Sequence, residues 1–206
     1  MSDNKGEMEW SLYVKILQEL KQLGVKEIAP FFFGESFLSG NLVPAIALAQ
    51  ELAFENIFLT TNGSAATPEK VEACMKAGLK SLKFSLNYAD EDQFEDITQC
   101  SKKVFSKVID NIKQAHRIRA QGNYPCGLYA SYIKYDKDQA GKMEKLIAEV
   151  SPYLDQVYSL PLYTQASKIQ VGEWEFSGGN QGHELNPVSP IPCWGLFHAA
   201  HINYDG

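Results

Sequence analysis

With 206 residues the chain has room for one domain, or for one domain with a small appendage. Hydrophobic residues make up 45% and charged residues 21%, a balance that builds a sizeable core and excludes a disordered chain. A formal net charge of -6 with no long Lys/Arg block argues against a phosphate-tracking surface, so no nucleic acid is expected as a partner.

The first ten residues, MSDNKGEMEW, lack the basic-then-apolar order of a secretory signal. Apolar runs such as Ile28 to Phe33 are too short to span a bilayer. A cytoplasmic protein with no membrane partner is expected. Trp10, Tyr13, Ile16, Leu17, Leu20 and Leu23 then recur at helical spacing, and Gly24 is placed to end that helix. EIAPFFF reads as a strand, with Pro30 best placed where no backbone donor is needed. Val43, Ile46, Ala49 and Leu52 predict a second helix and NIFLTT the next strand. Thr67 is placed to cap a third helix, with Pro68 in its first turn and Gly78 near its end. LKSLKFS follows as a strand. The acidic run Asp90-Glu91-Asp92 reads as a solvated face ahead of a long helix near Lys102 to Arg119, striped by Val104, Phe105, Val108, Ile109, Ile112 and Ala115. His116, Arg117 and Arg119 lie near its carboxyl end, where cations complement the dipole. CGLYASYI as a strand, Gln139 to Val150 as a helix and DQVYSLPLY as a last strand complete the pattern.

Helix and strand thus alternate, which implies parallel strands joined by right-handed crossovers. This order fits a sheet or a barrel, and because the pattern begins on a helix, the expected α/β fold has five visible strands and a missing first strand. An eight-stranded closed barrel needs about 250 residues and does not fit. From Thr164 onward Gly, Asn, Ser and Pro dominate, which is loop chemistry. A boundary is therefore placed between residues 1–164 and an irregular C-terminal extension, 165–206.

The four cysteines, Cys74, Cys100, Cys126 and Cys193, form no CxxC-type pair. Cys74 follows Val71 by three residues on the apolar face of its helix and is expected to be buried. At the end of the sequence, Asp205-Gly206 after the alternating stretch Ala200 to Tyr204 predicts the turn of a hairpin.

In parallel α/β folds functional groups gather at the carboxyl ends of the strands. Those ends carry Gly34-Glu35-Ser36, Thr61-Asn62-Gly63 and Ser85-Leu86-Asn87. Small polar side chains, two glycines and one carboxylate on one rim suit a small polar ligand bearing amine, hydroxyl or carboxylate groups. The same succession resembles the core of the radical S-adenosylmethionine (radical SAM) family, whose corresponding strands end in Gly-Gly-Glu-Pro, Thr-Asn-Gly and Ser-Leu-Asp. The likeness covers roughly residues 8 to 163. PCWGLFHAAHINYDG further resembles the opening of the SPASM extension, which carries auxiliary iron-sulfur clusters.

The resemblance implies a partial parallel (β/α) barrel of the radical SAM type with its first strand and cluster loop missing, and an enzyme that binds S-adenosylmethionine and [4Fe-4S] clusters for radical modification of a small molecule or peptide. A reductant protein such as a flavodoxin or ferredoxin is implied as a partner. Gly34 and Glu35 would hold the cofactor's amino group, Thr61 and Asn62 would line the pocket near its methionine portion, and Ser85 with Asn87 would bind its ribose or carboxylate. Cys193 would ligate an auxiliary cluster. The sequence departs from the family in several places. CxxxCxxC, which holds the reactive cluster in the loop after the first strand, occurs nowhere in it. Phe33 stands at the family's second glycine, Ser36 at its proline and Asn87 at its aspartate, and YADEDQFEDIT offers no arginine for the cofactor's carboxylate. This chain alone is therefore expected to be inactive, the middle of a longer enzyme whose cluster loop lies upstream. No catalytic acid, base or radical-bearing residue is assigned.

Two other readings stand beside it. One is a non-catalytic binding module derived from the same fold. The other makes Cys193, His198 and His201 a zinc site, with Asp205 nearby.

Overall fold

Five parallel strands lie side by side in the order in which the chain makes them. The computed structural model describes residues 6–31, 34–133, 138–160 and 199–206. Helix α1 (Trp10–Gln22) leads into β1 (Glu27–Ile28), a 3-10 turn (Ser36–Leu38), α2 (Leu42–Glu51) and β2 (Asn56–Thr61). Then follow α3 (Pro68–Ala77), β3 (Ser81–Ser85), α4 (Glu91–Thr98), α5 (Lys102–Gly122), β4 (Gly127–Ile133), α6 (Asp138–Val150) and β5 (Gln156–Leu160). Strand order never reverses, so every right-handed crossover packs on the same face of the sheet. Continued one-way stepping makes a barrel wall rather than a doubly wound sheet.

Burial alternates along the strands accordingly. Ile57, Leu59, Leu82, Phe84, Leu128 and Ala130 are buried beneath the helices. Their neighbours Phe58, Thr60, Lys83 and Tyr129 are half-buried on the opposite, inner face. The helical layer supplies Ile46, Ala49, Val71, Cys74, Val108, Ile112 and Ala115 to the same core. Cys74 is fully buried, as its spacing on α3 required.

Several expectations are corrected in detail. The first strand is only Glu27–Ile28, because the Phe31 amide bonds the Ala29 carbonyl (2.7 Å) and turns the chain before Pro30 could extend the ladder. The acidic run is not simply a solvated face ahead of α5. Asp90 N-caps a separate helix, α4, by accepting from the Gln93 amide (2.9 Å), and Glu91 and Asp92 occupy its first turn, where carboxylates meet the positive dipole end. Thr67 occupies the N-cap position of α3 without a side-chain cap bond. Its hydroxyl is turned to Glu69, and bonds to the Glu69 backbone and then to Thr67 hold that carboxyl below the usual range. Leu23, placed on the apolar stripe of α1, is 80% exposed because the helix has already ended at Gln22.

In 199–206 the expected turn is present: the Gly206 amide bonds the Asn203 carbonyl at 3.1 Å. None of these residues is in a strand, so the alternation from Ala200 to Tyr204 makes no ladder among the described residues. No described helix is long and apolar enough to cross a membrane. The boundary near residue 165 lies outside the described residues, as do Cys193 and His198.

The amino ends of β4 and β5 are tied by Asp155. Its Oδ2 accepts from the Leu128 amide (2.7 Å) and from Arg119 Nη1 (2.5 Å) at the end of α5. Burial works to raise the Asp155 carboxyl, but these two donors outweigh it and leave it below the ordinary value of 3.8. A depressed carboxyl stabilises the fold above its unfolded pKa and loses that contribution as pH falls through its folded one. Asp155→Asn should therefore lower the urea midpoint near neutral pH, and the gap to the parent should close as acid protonates Asp155 below 3.8. A gap that stays constant across the acid limb would refute this role.

Candidate functional site

The carboxyl ends of β1 and β2 are laced together by one side chain. Glu35, in the loop after β1, accepts at Oε1 from the Thr61 hydroxyl (2.6 Å) and the Phe37 amide (3.2 Å). Its Oε2 accepts from the Asn62 amide at 2.8 Å. The same carboxylate thus caps the 3-10 turn Ser36–Leu38 and binds the tip of β2. Ser36 adds a second tie, its hydroxyl donating to the Thr60 carbonyl (3.2 Å).

Thr61 is only 2% exposed because the strand alternation turns it toward the helices. Its hydroxyl donates to Glu35 and accepts from the Gly63 amide (2.9 Å), so it is satisfied on both sides. Asn62 closes a local turn instead of pointing into a pocket, since its Oδ1 accepts from the Ser64 amide (2.9 Å) and hydroxyl (2.7 Å). Its backbone amide, rather than its side chain, meets Glu35. Gly63 takes φ +81°, and its carbonyl accepts from Asn111 Nδ2 of α5 at 2.8 Å. Both partners of that bond are buried, where an unmade bond costs about 1–3 kcal/mol.

A carboxylate offers about four lone-pair positions. Among the described residues Glu35 receives three donors, two on Oε1 and one on Oε2, which leaves one acceptor position on Oε2. The preceding residue, Gly34, has φ +88°, and no described residue lies within 4 Å of where its Cβ would be. That donor-seeking carboxylate suits an ammonium group.

Of the predicted residues, the structure brings Glu35, Thr61 and Asn62 into one hydrogen-bonded unit, with Gly34 next to Glu35 in the chain. Ser85 and Asn87 sit at the same end of the sheet but make no hydrogen bond to that unit among the described residues. Phe84 lies opposite Thr61 in register, so Ser85 follows beside Asn62 on the neighbouring strand. The tip of β3 is instead held to β4, where the Leu86 amide bonds the Ser131 carbonyl (2.7 Å). Ser36 is on the predicted rim but its tie to Thr60 is not legible there, and Asn111 has no place in the predicted site. For Asn111 a signal existed: it is a polar residue three after Val108 and four before Ala115, in the middle of the apolar stripe of α5.

Below the rim, the inner face of the sheet encloses a concavity of about 360 Å³, lined in part by Phe58, Thr60, Lys83, Tyr129 and Tyr158.

The described cysteines do not fit an iron-sulfur cluster. Cys74 and Cys126 are buried, and burial pushes both thiols up to about 12, away from the thiolate a metal needs. Cys100 is exposed, and among the described residues no three His, Cys, Asp or Glu side chains are grouped to hold a metal ion.

Residues 1–129 match the radical SAM superfamily. The chain belongs to that superfamily. Radical SAM proteins are enzymes that use S-adenosylmethionine and a [4Fe-4S] cluster. Among solved structures it is similar to SuiB of Streptococcus suis, with 16% identity and a TM-score of 0.58 over 89% of this chain and 39% of SuiB. SuiB bound to S-adenosylmethionine aligns at 18% identity and TM-score 0.54, over 71% of this chain and 32% of the other. SuiB bound to its precursor peptide SuiA aligns at 17% and 0.55, over 77% and 34%. At these identities the likeness establishes the fold, and the partial radical SAM barrel implied by the resemblance is the fold observed. The chain spans between about a third and two fifths of the length of SuiB.

Proposed function

We propose that this chain forms the S-adenosylmethionine-binding part of a radical SAM enzyme of the SPASM type that modifies a peptide. The observation that carries the reading is the Glu35 carboxylate, fixed by Thr61, Asn62 and Phe37 and left with one acceptor position unfilled among the described residues. In this reading Glu35 takes the ammonium of the cofactor's methionine end. Gly34 allows close approach, and Thr61 and Asn62 act by holding Glu35 in place. Ser85 and Asn87 bind the ribose or the carboxylate. S-adenosylmethionine held by Glu35 would supply the radical chemistry together with a four-iron cluster for which the described residues provide no ligands, and this chain's part would be orientation and shielding. A reductant protein such as a flavodoxin or ferredoxin belongs to this scheme. Cys193 is proposed as a ligand of an auxiliary cluster, in an extension that begins near residue 165. A peptide substrate is supported by SuiB, which binds the precursor peptide SuiA. A cytoplasmic setting agrees with the free thiols of Cys74, Cys100 and Cys126.

The reading is tested by equilibrium binding to the chain without iron. S-adenosylmethionine should bind saturably. 5′-Methylthioadenosine, which lacks the amino-acid end, should bind at least about tenfold more weakly, because a charge-assisted bond to Glu35 is lost. Equal affinity for the two would remove Glu35 from the ammonium site. Binding of neither would overturn the reading as a whole.

A further inference from the structure

Lys83 lies at the middle of β3 on the inner face of the sheet. In register it sits between Thr60 of β2 and Tyr129 of β4, with Gln156 of β5 opposite Tyr129. Two residues later on the same face is Ser85, at the proposed cofactor rim, roughly 7 Å along the strand. Tyr158 lines the same concavity, which opens on this face.

The Lys83 ammonium is half-buried, and no hydrogen bond or ion pair joins it to any described residue. Withdrawing a cation from water without a counter-ion is unfavourable, and burial depresses the basicity of Lys83 for that reason. A lysine in a sheet interior, where an apolar residue would pack better, needs an anion to meet it. The chemistry around it narrows the choice. Thr60, Tyr129 and Tyr158 bring hydroxyls, and burial followed by the neighbouring Tyr129 raises the Tyr158 phenol, so it stays a donor. Phe58 and the tyrosine rings make the walls apolar. Among the lining residues Lys83 is the one cation, and Glu27 stands at the foot of the same concavity. A single cation neutralises a monoanion but leaves a phosphate dianion with an uncompensated charge beside the Glu27 carboxylate.

We propose that Lys83, with the hydroxyls of Thr60, Tyr129 and Tyr158, binds a carboxylate of the substrate, carried on an apolar or aromatic stem, directly below the cofactor rim. The inference rests on the radical SAM reading for the identity of the occupant as substrate, and not for the anion site itself.

The experiment uses the whole chain with benzoate as probe and benzamide, its neutral analogue, and inorganic phosphate as controls. Acetylation of each lysine by acetic anhydride is followed by mass spectrometry. Benzoate should slow modification of Lys83 and of no other lysine, and neither control should do so. Lys83→Met should weaken benzoate binding about tenfold or more, as expected for loss of a charged hydrogen-bond partner, and Lys83→Arg should restore most of it. Affinity for S-adenosylmethionine should change less than about twofold in both variants, since Lys83 lies outside that site.

Protection by benzamide or phosphate equal to that by benzoate would overturn the carboxylate assignment. A Lys83 that resists acetylation with no ligand present would show another segment of this chain covering the face, and would also overturn it. Should benzoate behave as stated while S-adenosylmethionine fails to bind the parent chain, the radical SAM reading falls and the anion site stands. The converse pair of results removes the anion site alone.

Discussion

Glu35→Gln should weaken S-adenosylmethionine binding by about 10–100-fold and leave 5′-methylthioadenosine binding unchanged. Glutamine keeps the shape of the side chain but loses the charge that faces the ammonium. It also replaces one acceptor oxygen with an amide donor. Oε1 serves Thr61 and Phe37 while Oε2 serves Asn62, so either orientation of the amide sets a donor against a donor. A loss of about 1–3 kcal/mol in stability accompanies the loss in affinity, read as a melting temperature lower by about 2–4 °C per kcal/mol. The methylthioadenosine control separates the two effects. If the loop after β1 had merely come loose, both ligands would bind more weakly. Parallel loss would therefore assign Glu35 a scaffold role and no ammonium.

The second large effect is expected at Gly63. A Cβ there would meet Val108 Cγ1 at 2.8 Å and Phe84 Cδ1 at 3.3 Å, and φ is +81°. Gly63→Ala combines left-handed backbone strain, about 1–2 kcal/mol, with overpacking of about 1–3 kcal/mol. Neither neighbour is free to yield: Val108 and Phe84 are both fully buried in the core. Gly34 is the matched control. Its φ of +88° is equally left-handed, but no atom lies within 4 Å of the added carbon. Gly34→Ala should thus cost only the strain, about 1–2 kcal/mol. Denaturant titrations of the two variants should differ in midpoint, with Gly63→Ala the less stable. Equal losses would mean that the helix α5 side chains relax around the intruding methyl.

Much of this architecture was legible before any coordinates. The helices could be read because their apolar stripes face a common core, and β2, β3 and β4 because NIFLTT, LKSLKFS and CGLYASYI are short segments carrying apolar residues, set between helical patterns. What failed to show had physical reasons. EIAPFFF is apolar enough for a strand, yet a hydrogen bond from Phe31 to Ala29 turns the backbone after two ladder residues. The start of α4 was hidden because three consecutive acids look solvated, whereas their position at a helix amino end is decided by the chain that follows. The site was half legible. Glu35, Thr61 and Asn62 could be named from strand ends and family likeness. That Asn62 uses its amide and spends its side chain on Ser64 is a matter of turn geometry that residue identity does not encode. Asn111 joins the site from 48 residues away, through a contact that only tertiary packing creates. Lys83 was passed over because a lysine in a strand ordinarily faces water.

The unbroken strand order has an evolutionary corollary. Since every crossover falls on one side, the residues that make the protein fold and the residues available to meet a substrate occupy alternate places in the same strands. Drift at Phe58, Thr60, Lys83 or Tyr129 leaves the helix-facing layer untouched, so selectivity is free to diversify while foldability is conserved. Neighbouring letters of one short segment, Lys83 and Phe84, thereby serve two separate surfaces.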